Sequence, residues 1–169
     1  ADQRPSLPRE HARYGVPTSQ GRYNWDQASG GADEFIRFNV SRSGADATQD
    51  YRNEVNAFGW MVEIDPFNPN SVPVKRTALG RFKHEAANVV VNPNGRVSVY
   101  TGDDERFEYL YRFVSSGKID KANRKANFGL LDDGILYVAK FHDDGRLTWL
   151  PLLFGNGLLT PASGFHSQA

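Results

Sequence analysis

The feature that most constrains this chain is a succession of short apolar runs separated by Gly, Pro, Asn and Asp. From residue 58 onward these runs are rich in Val, Thr, Tyr and Phe, which is the composition of β-strands. Proline cannot donate to a strand ladder, so a pair such as Asp65-Pro66 ends a run. The predicted strands are Phe58–Ile64, Val74–Leu79, Asn88–Val91, Val97–Thr101, Phe107–Val114, Ile135–Phe141 and Leu147–Leu153. We therefore expect an all-β protein built from antiparallel strands.

Two of the predicted hairpins resemble each other. The run Asn94–Val99 aligns with the run Asp144–Trp149, which begins 50 positions further along the chain. Asn-Gly and Asp-Gly are preferred dipeptides of tight hairpin turns, and a hairpin repeated at this spacing is typical of β-propeller blades. Two hairpins of a single antiparallel sheet would give the same pattern, so both interpretations stay open. Because the chain is too short for a closed ring, the propeller interpretation predicts an arc of about two to three blades.

Composition divides the chain into three parts. Residues 1–57 are polar and interrupted by prolines and glycines, which predicts a loop-rich arm with one or two strands, the clearest at residues 34–40. Residues 58–155 form the predicted blade region, and residues 156–169 form a loose tail. Within the blade region, residues 117–129 are basic and lack periodicity. They predict an exposed connection that contains one helical turn.

Charge and composition exclude several classes of function. The chain carries 20 Lys and Arg against 20 Asp and Glu, whereas a protein that binds nucleic acid by counterion release is strongly basic. We therefore expect neither a nucleic-acid partner nor, from the short apolar runs, a membrane span. Cysteine is absent, which excludes disulfides and thiolate chemistry within these residues. The chain begins at Ala1 without a leader-like segment, so we expect a fragment or a processed chain.

The segment Gly80–Asn88 concentrates charge between two predicted strands. Glu85 offers a hard carboxylate oxygen of the kind that divalent cations bind, and Lys83 offers a positive charge to an anionic group. A solvated loop accounts for the same residues, because charged side chains mostly stay outside. A zinc-protease helix is excluded, since Asn88 stands where the second histidine would be needed.

Three acids, Asp103, Asp104 and Glu105, follow directly on a predicted strand. They lack the ligand and glycine spacing of an EF-hand loop. A turn in which an aspartate caps backbone N–H groups is therefore favoured over a calcium site.

Four aromatic residues alternate with other side chains in the run that follows, namely Phe107, Tyr109, Tyr111 and Phe113. Alternation places all four rings on one face of a strand. Because the chain has no net positive charge, a packed sheet face is favoured over a platform for stacking bases.

Four strings of the sequence resemble the PhoX-type alkaline phosphatase family in order and in spacing. The strings are Phe58–Pro66, Lys75–Glu85, Val99–Ser115 and Gly134–Phe141. The resemblance implies a bacterial phosphomonoesterase that is periplasmic or secreted and is exported through a twin-arginine signal. It also implies a β-propeller built around a cluster of iron and calcium.

The resemblance assigns roles to two residues. Glu85 matches a metal-binding glutamate, and Lys83 stands where a basic residue that contacts phosphate is expected. The family often has arginine at position 83 and glycine after His-Glu, whereas this chain has Lys83 and Ala86. Lysine keeps the charge but lacks the bidentate fork, so the resemblance supports Lys83 less strongly than Glu85. The family's cysteine motif and further acidic ligands are missing from these residues, which predicts an incomplete site.

Two functions remain open at this point. The first is a segment of an iron- and calcium-dependent phosphomonoesterase, inactive by itself, whose partners are a phosphomonoester substrate and the remainder of the propeller. The second is a non-catalytic β-propeller module of the same family with a binding or structural role. Chelator-sensitive phosphatase activity distinguishes the two. An isolated arc of blades is also expected to expose strand edges and apolar faces, and therefore to be weakly stable or to self-associate.

Overall fold

The computed structural model of the chain describes Ala45 and residues 57–165. The chain divides into two compact units, Ala1–Phe58 and Gly59–Ala169. Apart from Ala45 and Ala57, the arm predicted for residues 1–57 lies outside the described residues, as does its strand near residues 34–40. Every strand that the structure describes belongs to the second unit.

Seven strands form two antiparallel sheets in the described part of the chain. A small sheet pairs β1 (Val62–Glu63) with β2 (Val74–Lys75). The larger sheet has five strands in chain order, so each pairs with the next: β3 (His84–Val91), β4 (Arg96–Asp103), β5 (Leu110–Lys118), β6 (Gly134–Phe141) and β7 (Leu147–Pro151). The described helices are all short 3₁₀ turns. The predicted all-β, antiparallel fold class is confirmed.

The two similar hairpin turns have the same geometry and belong to the same sheet. The first joins β3 to β4 and the second joins β6 to β7. Gly95 and Gly145 both adopt left-handed backbone, with φ of 83° and 82°, which explains why both turns contain glycine. Asn94 and Asp144 each accept a backbone N–H through their side chains, at 3.0 and 3.1 Å. The sequence similarity therefore reflects two equivalent turns within one five-stranded sheet.

Two of the predicted strands are much shorter than the sequence indicates. The strand predicted at Phe58–Ile64 contains only two paired residues, and Gly59 with φ of 80° precedes it. The strand predicted at Val74–Leu79 ends after Lys75, and a 3₁₀ helix follows at Thr77–Leu79. This turn buries Leu79, which is 2% exposed, in the core instead of leaving it on a strand.

The strand predicted to begin at Phe107 begins instead at Leu110. Phe107 has a φ of 67°, which breaks the extended conformation, and its side chain is 98% exposed. Of the four rings expected on one face of this strand, only Tyr111 and Phe113 lie in it. Phe113 is fully buried, so the prediction of a packed sheet face holds for that part of the run.

One face of the large sheet, the core face, packs against the small sheet and its 3₁₀ helix. The buried centre consists of Leu79, Val97, Val99 and Phe113, and the partly buried residues around it are Met61, Ala78, Leu130, Leu131 and Leu136. Residues paired across the strands point to the same face, so Ser98, Tyr100 and Arg112 lie on the opposite side, which we call the second face. Asn88, Tyr137 and Trp149 belong to this second face as well.

The connection between β5 and β6 contains a 3₁₀ helix of 6 residues at Arg124–Gly129, which is about two turns, in the segment predicted to contain one helical turn. A second such helix lies at Pro161–Ser163, in the predicted tail. No helix among residues 57–165 is long and apolar enough to cross a membrane.

Candidate functional site

Glu85 lies at the start of β3, immediately before a β-bulge. It pairs with Gly102, whereas Asn88 pairs with Tyr100, so β3 uses one residue more than β4 over the same length. The extra residue is accommodated by Ala86, whose φ of 60° is left-handed. Without the bulge, Glu85 and Asn88 would point to opposite faces of the sheet. With it, both lie on the second face.

The Glu85 side chain is exposed, and Gly102 beside it has no side chain to cover it. Its carboxylate makes no hydrogen bond or ion pair with the described residues. The bulge also explains why the resemblance predicts glycine at position 86, directly after His84 and Glu85. Glycine adopts left-handed backbone without the steric cost that alanine has there, and Ala86 occupies that conformation in this chain.

His84 fixes the start of β3 through both ring nitrogens. Nε2 lies 3.1 Å from the carbonyl oxygen of Gly80, and Nδ1 lies 3.1 Å from Oγ1 of Thr101. A carbonyl oxygen can only accept, so Nε2 carries the proton, and Nδ1 of the neutral ring accepts from the threonine hydroxyl. The Phe82 ring packs against the imidazole with centroids 3.8 Å apart. His84 is therefore committed to structure and has no nitrogen left to bind a metal ion.

Burial favours the neutral form of His84 in the folded protein. Desolvation lowers the pKa of its imidazole, against the hydrogen bond to Gly80 and the charge of Asp103, which both raise it. A neutral ring is the form that the two hydrogen bonds require, so electrostatics and geometry favour the same state.

Lys83 is exposed and forms an ion pair with Glu105. Its backbone oxygen accepts a hydrogen bond from the Asp104 N–H at 3.0 Å, which joins the start of β3 to the loop after β4. In this loop the Asp103 carboxylate accepts the Glu105 N–H at 3.0 Å. The capped turn predicted for the three acids is thus present, and it holds Glu105 next to Lys83.

The two sequence-predicted site residues lie on either side of His84, at one end of the large sheet. Within the part of the chain that the structure describes, no group of three His, Cys, Asp or Glu side chains could hold a metal ion. The described residues therefore bring Lys83, His84 and Glu85 together with the acidic loop. They supply no more than part of a metal site.

A second polar feature lies on the second face and was not anticipated from the sequence. The Arg112 guanidinium lies 5.1 Å from the ring centroid of Tyr137 and 4.5 Å from that of Trp149. The Trp149 ring also meets Tyr100 edge to face, with centroids 6.0 Å apart. In the sequence, alternation along β5 indicates only that Arg112 lies on the other face of the strand from Tyr111 and Phe113. The aromatic rings around Arg112 come from β4, β6 and β7, which are distant in the sequence.

Comparison with known proteins agrees with the resemblance of the four strings. The model of the family described as alkaline phosphatase PhoX matches residues 3–169. Among solved structures, the chain is similar to PhoX of Pseudomonas fluorescens in complex with vanadate, a transition state analogue, with 41% sequence identity and a TM-score of 0.74. The similarity covers 99% of this chain and 28% of that chain. No curated protein sequence matches.

The chain therefore spans little more than a quarter of the length of that relative, 28%, while nearly all of its own residues take part in the similarity. The family model likewise extends over almost the whole chain, and the two findings rest on a sequence match and on a structural match respectively. We conclude that this chain belongs to the alkaline phosphatase PhoX family.

Proposed function

We propose that the chain is a segment of a metal-dependent phosphomonoesterase, in which Glu85 binds a metal ion and Lys83 contacts the phosphoryl group. The observation that carries the proposal is the β-bulge at Ala86, which turns the exposed Glu85 carboxylate onto the second face beside Gly102. β-Bulges are frequent next to active sites, where they redirect a side chain. Family membership and the vanadate complex of the Pseudomonas relative support phosphoryl chemistry.

The proposed metals are calcium and iron, and the donor that this chain offers fits such ions. A glutamate carboxylate supplies the hard oxygen that calcium prefers. A metal ion bound there stabilises negative charge on phosphoryl oxygens as a Lewis acid. Because the described residues contain no group of three suitable ligands, the proposal requires the other ligands to come from elsewhere in the protein.

Lys83 supplies a positive charge two residues before Glu85. Its side chain is 57% exposed, so a phosphate group can reach the ammonium from solvent. Glu105 holds the ammonium in the free protein, and an incoming phosphate competes with that carboxylate. A cation placed where charge develops on the transferred group lowers the barrier to transfer.

The proposal also covers the surroundings of the site. The substrate is a phosphomonoester, the remainder of a β-propeller is the structural partner, and the protein works in the periplasm or outside the cell. The length of the Pseudomonas relative supports the structural partner, because 72% of that chain lies outside the similarity.

The test is hydrolysis of p-nitrophenyl phosphate by the full-length protein, measured with and without chelator. We expect Glu85→Gln to lose bound metal and to lose activity by roughly 100-fold or more, since a lost ligand costs at least as much as a lost outer-shell partner. Glu108→Gln is the matched control, because Glu108 is also an exposed glutamate but lies in the loop between β4 and β5 and not in β3. A Glu85→Gln protein with unchanged metal content and activity would overturn the ligand assignment. Absence of chelator-sensitive activity in the unaltered protein would favour the non-catalytic module.

A further inference from the structure

We propose that Thr101 is a positioning residue, which acts through His84 to hold the Glu85 carboxylate on the second face of the sheet. The inference rests on the proposed function, in which Glu85 binds a metal ion, and it adds a residue to which the resemblance assigns no role. Thr101 lies in β4 and acts from the core face, on the opposite side of the sheet from the Glu85 carboxylate.

Thr101 lies directly opposite the bulge of β3. Two residues of β3, Ala86 and Ala87, share this single residue of β4 as their counterpart. The Thr101 side chain is 2% exposed and is directed to the core face, where Tyr111 is its partner on β5. A shift of one residue in strand pairing moves a side chain to the other face. Glu85 therefore stays on the second face only while the bulge keeps its place.

The hydroxyl of Thr101 reaches diagonally across the two strands to His84. Its Oγ1 lies 3.1 Å from Nδ1 of the imidazole and 3.4 Å from the carbonyl oxygen of Gly102. A hydroxyl has one proton to donate, and the neutral ring with its proton on Nε2 presents Nδ1 as the nearer acceptor. This hydrogen bond connects the residue opposite the bulge to the residue that directly precedes Glu85.

The other side of the His84 imidazole is anchored in the core. Nε2 donates to the carbonyl oxygen of Gly80 at 3.1 Å, and Gly80 directly follows the buried Leu79. A Cβ atom at Gly80 would lie 2.9 Å from the Phe82 ring, which itself packs on the imidazole. The ring therefore bridges two tightly packed points, and losing either hydrogen bond loosens the start of β3.

A positioning role differs from a purely stabilising one in what its loss changes. Residues that orient a metal ligand typically alter metal affinity by about 10- to 100-fold when they are removed. Ser115 provides a comparison towards the other end of β4, because its hydroxyl is also buried. It donates to the Gly117 carbonyl oxygen at 2.8 Å and accepts the Val97 N–H at 2.9 Å. Loss of this hydroxyl should affect stability alone.

The test compares Thr101→Val with Thr101→Ser in the full-length protein. Valine keeps the shape of threonine without the hydroxyl, whereas serine keeps the donor. We expect Thr101→Val to bind calcium about 10-fold more weakly, measured by titrating calcium into the chelator-treated protein. Its hydrolysis of p-nitrophenyl phosphate at a fixed, subsaturating calcium concentration should fall with the bound metal. Thr101→Ser should restore both, and a serine variant as impaired as the valine variant would overturn the inference.

Removing the acceptor tests whether Thr101 acts through His84. His84→Phe keeps an aromatic ring against Phe82 but has no nitrogen, so it should lower calcium affinity at least as far as Thr101→Val. It also breaks the same hydrogen bond from the other side should Thr101→Val fail to fold. In the His84→Phe protein, adding Thr101→Val should cause no further loss, because the bond is already absent. Additive losses, or unchanged calcium affinity in His84→Phe, would overturn the inference.

Ser115→Ala is the control, and it should lower the melting temperature without changing calcium affinity. Wild-type calcium affinity in Thr101→Val, or an equal loss in Ser115→Ala, would overturn the positioning role alone. A wild-type protein that binds no metal and shows no chelator-sensitive hydrolysis would refute the proposed function and the positioning role with it.

Discussion

Arg76 Nη1 lies 2.6 Å from Oδ2 of Asp132, a residue 56 positions further along the chain. The same guanidinium donates from Nε to Glu63 Oε2 at 2.7 Å and from Nη2 to the Phe128 carbonyl oxygen. Arg76 is 4% exposed, although both of its carboxylate partners are partly open to solvent. One buried arginine therefore connects the small sheet to the segment that leads into β6.

We expect Arg76→Met to lower the free energy of unfolding by about 2 kcal/mol, less than for a fully buried pair because Glu63 and Asp132 remain partly hydrated. Chemical denaturation measures the loss. Arg146→Met should leave the free energy of unfolding essentially unchanged, since its pair with Asp144 is exposed and screened by solvent. Equal losses for the two variants would show that the Arg76 contacts do not stabilise the fold.

The lowered pKa of His84 predicts a pH-dependent stability. In the folded protein this pKa lies below its ordinary value of 6.5, mainly because the ring is desolvated. The unfolded chain therefore binds more protons than the folded one between the two values, and stability increases with pH in that window. The contribution is complete above about pH 6.5 and declines as the pH falls below it.

Melting temperatures between pH 5 and pH 7.5 test this prediction. In His84→Gln the titrating group is gone, while the side-chain amide can still donate to the Gly80 carbonyl. We expect the variant to be less stable at neutral pH but to depend less on pH than the wild-type protein. An identical pH dependence in the variant would exclude His84 as its source.

Ala86 occupies a backbone conformation that glycine adopts at lower cost. We expect Ala86→Gly to raise the free energy of unfolding by roughly 0.5 kcal/mol, the balance between relieved strain and the greater freedom of glycine in the unfolded chain. Gly145 also has left-handed backbone, with φ of 82°, and has open space around it. The reverse substitution there, Gly145→Ala, should lower the free energy of unfolding by about 1 kcal/mol. A lower free energy of unfolding in Ala86→Gly would show that the left-handed backbone at Ala86 is not strained.

Gly134 opens β6 where there is no room for a side chain. A Cβ atom at this position would lie 2.4 Å from both the Phe113 ring and the Val114 carbonyl oxygen. We expect Gly134→Ala to cost about 3 kcal/mol, because the buried ring and the strand must both shift. Gly129→Ala, where no atom lies within 4 Å, should be neutral or slightly stabilising. A tolerated Gly134→Ala, measured by thermal denaturation, would refute the close packing of β5 on β6.

Much of the site region could be located from residue types alone. Charge between two strand-like runs indicated Lys83 and Glu85, and the acidic turn followed from the local chemistry of aspartate. Their roles in phosphate and metal binding stay predictions. What local pattern could not indicate was the bulge, since Ala86 has no intrinsic preference for left-handed backbone and adopts it only because β3 is paired with β4.

The amino-acid sequence by itself determined the all-β class, the two glycine turns and the family, because these depend on residue type and spacing over short distances. The tertiary structure alone decided that both hairpins share one sheet, that Arg76 meets Asp132, and that Arg112 lies between Tyr137 and Trp149. Each of these depends on strand register and on contacts between distant residues, which are set by how the whole sheet packs.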